Sequence, residues 1–73
     1  MRKYVIATVE HFAAIGTDVA ADRKSLDGLQ AIHEVDVDDT TFDTDPDCHV
    51  YSHEDCIGLI DGADAEGTWW QPL

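Results

Sequence analysis

The chain reads as a small α+β domain, mostly antiparallel sheet with one or two short helices. Three observations predict this. Apolar and β-branched residues gather in runs of strand length, one of them strictly alternating. Turn-forming pairs such as Gly16-Thr17, Asp61-Gly62 and Glu66-Gly67 separate these runs. At 73 residues the chain is one domain, 1–73, of a size that buries only about 60% of the surface of its unfolded form. So small a fold leaves little room for a walled catalytic pocket unless a second subunit completes it.

Lys3 to Val9 is rich in β-branched residues and apolar on both faces, which predicts a central strand. Residues 11–22 are ambiguous, since their alanines suit a helix and Gly16-Thr17 suits a turn. Ser25 can cap a short helix, with Asp27 near its positive end and Leu26, Leu29 and Ile32 three apart. Gly28 weakens that helix by about 1 kcal/mol relative to alanine. His33 to Asp38 alternates, predicting a strand with valines inward and acids outward. Asp38 to Asp47 reads as an acidic loop anchored by Phe42 and broken by Pro46. Cys48 to Tyr51 and Cys56 to Ile60 read as strands joined by a turn at Ser52-His53-Glu54-Asp55. Residues 68–73 are either a last strand or a loose tail.

Sixteen acidic side chains against four lysines and arginines give a formal net charge of −12. The distribution is uneven. Residues 1–24 hold all four basic side chains and only three acids, whereas residues 25–73 hold thirteen acids and no lysine or arginine. Direct binding to nucleic acid, which needs cations to displace counterions from phosphate, is excluded by this balance, as is an anionic membrane surface. Positive partners are expected instead. Glu10 and His11 interrupt the first apolar run too early for a signal peptide, so a cytoplasmic location with both cysteines as thiols is expected.

Three constellations could carry chemistry. Asp43, Asp45, Asp47, Val50 and Glu54 fall at positions 1, 3, 5, 8 and 12 of an EF-hand-like calcium loop, although Cys48 stands where that loop needs glycine. Cys48, His49, His53 and Cys56 have zinc-ligand chemistry, but the adjacent pair fits a tetrahedron poorly; His11 or His33 could complete a looser site. Neither set is specific enough to name a cofactor, and none is expected. Catalysis is not expected either: on a strand Cys48 and His49 point to opposite faces, and Cys56 has no cation beside it. The third constellation is the acidic surface. Glu34, Asp36 and Asp38 are expected to project from one strand face at roughly 6–7 Å spacing. Asp39, Asp43, Asp45 and Asp47 continue the row, which approximates the phosphates of a nucleic-acid strand. Trp69 and Trp70 could supply apolar anchors.

In size and charge, though in no motif, the chain resembles the small acidic bacteriophage-encoded inhibitors of host nucleic-acid enzymes. The resemblance implies a non-enzymatic protein in the host cytoplasm that occupies a basic surface and inhibits or redirects the enzyme. RNA polymerase is the favoured target, and a DNA-mimic inhibitor of a defence nuclease or CRISPR complex is the alternative. Two other readings stand beside it: a calcium- or zinc-binding module on 43–56, and a halophilic accessory protein whose acidity serves solubility alone.

Overall fold

The computed structural model describes residues 1–56. They form a four-stranded antiparallel sheet: β1 (Arg2–Thr8), β2 (Arg23–Lys24), β3 (Gln30–Asp36) and β4 (His49–Ser52), in the order β2-β3-β1-β4. One short helix, α1 (Val9–Ala14), follows β1 directly, and residues 53–56 after β4 are also helical. The α+β class is as expected. So is the inner position of β1, which pairs with β3 from Arg2↔Asp36 to Thr8↔Gln30 and with β4 from Lys3↔Ser52 to Ile6↔His49.

A strand covered on both sides needs apolar residues at successive positions, and β1 supplies Val5, Ile6 and Ala7, all buried. Val5 and Ala7 face a core completed by Phe12, Val19, Ala31, Val35, Phe42 and Cys48. On the other face Ile6 meets Ile32 and Cys56, with Tyr4 and Tyr51 half-buried beside them.

The ambiguous 11–22 segment resolves into a helix and its stop. Thr8 caps α1, its hydroxyl accepting from the His11 amide at 3.0 Å, and Glu10 sits in the first turn where the helix dipole favours an acid. The amides of Gly16 and Thr17 donate back to Ala13 and Phe12 at 3.1 and 2.9 Å, with Gly16 at φ +78°. This is a Schellman motif, which needs a left-handed residue at the helix exit.

Three expected elements differ. The helix beginning at Ser25 is instead the turn between β2 and β3. Ser25 donates its amide to Gln30 O at 2.9 Å and accepts the Gln30 amide on its hydroxyl at 3.0 Å, while Gly28 takes φ +73°. Leu26 and Leu29 are exposed, and Ile32 reaches the core from β3. The strand expected to run to Asp38 ends at Asp36, so Val35 is inward but Val37 is exposed. There the Asp36 carboxylate and carbonyl accept from the Asp38 and Asp39 amides, and this turn competes with the ladder. Lastly, the Ser52 hydroxyl accepts the Asp55 amide at 3.2 Å and starts the helical residues 53–56, so Cys56 is helical and opens no strand. The remainder of that expected strand, residues 57–60, and the 68–73 segment lie outside the described residues.

The loop after β3 is as expected. Phe42 is buried, and successive turns close at Asp43, Asp45 and Cys48.

Candidate functional site

Many of the aspartates have local tasks. Asp18, Asp27, Asp36, Asp39 and Asp45 each accept the backbone N–H two residues further on, the Asx-turn geometry that lets a short carboxylate stand in for a backbone acceptor. Hydrogen bonds from Ser25 and the Leu29 amide hold the Asp27 carboxyl below the usual aspartate range; those from the Thr41 hydroxyl and amide do the same at Asp39. Part of the acid excess therefore builds turns.

Other acids neutralise cations inside the fold. Arg2 Nε donates to Glu34 Oε1 at 3.1 Å, both side chains half-exposed. Lys3, largely buried by the 39–48 loop's side of the sheet, donates Nζ to Asp43 Oδ1 at 3.0 Å. Lys24 Nζ donates to the carbonyls of Val19 and Ala20 at 2.8 and 3.1 Å. Asp22 accepts from His33 Nδ1 at 2.7 Å, and the His33 ring lies against Phe12 and Phe42. With Lys3 and Lys24 turned inward and Arg2 paired at the surface, the outward charge is negative. Among the described residues, Glu10, Asp38, Glu54 and Asp55 are exposed with no side-chain partner, and Asp36 is exposed with only its turn amide.

The expected acidic row is thus broken into parts. Glu34 and Asp36 do share a sheet face, but Asp38 lies beyond the strand, in the turn that Asp36 closes. Asp39, Asp43 and Asp45 are tied to Thr41, Lys3 and His11 respectively. Trp69 and Trp70 lie outside the described residues.

The two metal sets also separate. The carboxylates of Asp43, Asp45, Asp47 and Glu54 gather at no common point among the described residues, because Asp43 and Asp45 turn to different partners and β4 extends the chain between them and Glu54. Cys48 belongs to one core and Cys56 to the core on the opposite face, which dismantles the Cys48, His49, His53, Cys56 set. His53 shares a 2.9 Å hydrogen bond with Tyr4 Oη instead.

A grouping that local spacing does not reveal forms where α1 meets the loop. His11 Nε2 donates to Asp45 Oδ2 at 2.7 Å, and His11 Nδ1 lies 3.8 Å from Asp47 Oδ2. The Cys48 sulfur completes a trio in which one donor atom each from His11, Asp45 and Cys48 lies within 4.8 Å of the others. Hydrogen bonds from His11 and the Asp47 amide hold the Asp45 carboxyl low. Burial, reinforced by Asp45 and Asp47, pushes the Cys48 thiol up to about 11, so it is a protonated side chain and not a ready nucleophile. Burial likewise raises Cys56. His11 and Asp47 also line an open groove of about 340 Å³ with Thr8, Glu10 and Ala14. Asp45-Pro46-Asp47-Cys48 signals two of the three, as a turn that sets a carboxylate and a thiol three residues apart; the histidine comes from 34 residues away and has no local signal.

Comparison of the chain with protein-family models, with curated proteins and with solved structures finds no match. None of the described helices is long and apolar enough to cross a membrane.

Proposed function

We propose that this chain is a non-enzymatic acidic binding protein that docks on a basic, nucleic-acid-handling surface of a bacterial enzyme and inhibits or redirects it. The observation that supports the reading most is the sorting of charge. Lys3 and Lys24 are spent on internal contacts and Arg2 is paired with Glu34 at the surface, while Asp36, Asp38, Glu54 and Asp55 face solvent. An isolated acid–base contact at such a surface is worth little, but a summed field of one sign accelerates encounter with a basic groove and selects against acidic partners. The recognition surface comprises the exposed carboxylates at the end of β3 and after β4, those of Asp36, Asp38, Glu54 and Asp55. RNA polymerase remains the favoured target on the resemblance of size and charge, with a defence nuclease or CRISPR complex as the alternative.

Pull-down from a bacterial lysate tests this. The expected result is capture of a nucleic-acid enzyme at low salt and its loss at high salt, because screening shortens the range of these charges to a Debye length of about 3 Å near 1 M. Capture of no such enzyme, or salt-independent capture of an unrelated protein, overturns it.

A further inference from the structure

We infer that His11, Asp45 and Cys48 form a binding site for a divalent transition-metal ion of the zinc class. The site is independent of the proposed docking surface.

The argument begins with donor chemistry. An imidazole nitrogen, a carboxylate oxygen and a thiolate sulfur are the three ligand types zinc takes from proteins, and a mixed set of this kind disfavours calcium and magnesium, which select oxygen alone. Binding releases the Cys48 thiol proton to solvent, and the resulting thiolate and one aspartate carry two negative charges, which a divalent ion neutralises.

Geometry follows. The three donor atoms already lie within 4.8 Å of one another, and tetrahedral zinc with ordinary bond lengths places its ligands about 3.3–3.8 Å apart. The His11–Asp45 contact of 2.7 Å therefore opens by roughly 0.6–0.8 Å as the ion replaces the shared proton. The Asp45 to Cys48 turn supplies a pair of ligands separated by two residues, the spacing common in zinc knuckles, and α1 supplies the third from a distant segment.

The supporting groups are also in place. Asp45 Oδ1 is occupied by the Asp47 amide at 2.9 Å, which fixes the carboxylate so that Oδ2 faces His11. For Nε2 to bind a metal its proton must move to Nδ1, and the Asp47 carboxylate stands 3.8 Å from Nδ1, too far for a hydrogen bond but close enough to favour a proton there. A carboxylate behind a metal-bound histidine is the usual way of setting the tautomer and ring orientation. The His11 and Asp45 side chains are each 21% exposed, so an ion can enter from solvent and water can supply the fourth donor.

Cobalt(II) titration of the reduced, metal-free full chain tests the site, because a thiolate–cobalt bond gives a near-ultraviolet charge-transfer band that carboxylate binding does not. The expected result is a band that zinc displaces. The Cys48→Ser variant loses it, and Cys56→Ser, altered on the opposite face of the sheet, keeps it. Asp45→Asn keeps an oxygen that can accept from the Asp47 amide, with circular dichroism to check that the variant folds, yet weakens cobalt binding by about tenfold or more. Absence of the band in the wild-type chain overturns the site. So does a band that survives Cys48→Ser or disappears in Cys56→Ser, and so does unchanged affinity in folded Asp45→Asn.

Discussion

On one face of the sheet, Val5, Val35, Phe12 and Phe42 pack beneath α1 and the 39–48 loop, and nearly every polar group there has an internal partner: Lys3 with Asp43, His11 with Asp45, His33 with Asp22. On the other face the buried residues described are Ile6, Ile32 and Cys56, with two half-buried tyrosines and the half-exposed Arg2–Glu34 pair. The difference teaches where the acids belong. Aspartates on the first face hold a loop down over a core, whereas those at the end of β3 have little or nothing to hold.

Truncating the first face should have the largest effect. Phe12 is fully buried and meets Phe42 edge-on at 6.2 Å between ring centroids. Phe12→Ala should cost about 3–5 kcal/mol. A chain of this length is expected to hold only about 4–11 kcal/mol in total, so urea unfolding should find the variant short of about a quarter or more of that stability. Ile6→Val on the opposite face should cost about 0.5–1.5 kcal/mol. Equal losses would erase the contrast between the faces.

Acid should act on the turns. Asp27 and Asp39 are held below the usual aspartate range by hydrogen bonds, so each folded carboxyl binds protons less readily than its unfolded counterpart near 3.9. Their contribution is present above about pH 3.9 and is lost as pH falls through the depressed folded values. Carboxyl NMR titration should place both below the ordinary range, and Asp39→Asn should flatten part of the acid limb of stability against pH. Ordinary titration of both would remove these turns from the account.

The smallest effect belongs to the Arg2–Glu34 pair. With side chains 51% and 48% exposed, its removal by Arg2→Ala should shift stability by less than about 1 kcal/mol. A larger loss in denaturant unfolding would show that the face carrying Ile6 and Ile32 depends on that pair.

Much of the sheet was legible in the residues. The apolar doublets of β1 and the alternation around Val35 are local signals, and local signals survive folding. Ser25 misled because a hydroxyl that accepts a nearby amide serves a helix cap and a tight turn equally well; the pairing of Arg23–Lys24 with Ala31–Ile32 decided between them, and a two-residue strand has no periodicity to read. Ser52 presents the same ambiguity in reverse. The acidic row failed at Asp38 because Asp36 caps its own strand. The trio of His11, Asp45 and Cys48 was beyond reach of spacing, since the fold alone brings α1 to the loop.

Charge reversal at the end of β3 tests the central claim most directly. Asp36 and Asp38 are exposed, and their only side-chain hydrogen bond is the 3.3 Å contact from the Asp38 amide. The Asp36→Lys/Asp38→Lys variant should therefore keep the wild-type Tm within a few degrees, about the shift that 0.5 kcal/mol produces in a domain this small. If the outward acids are the docking surface, this variant loses the nucleic-acid enzyme that the wild-type chain captures at low salt. Equal capture by both proteins would contradict it.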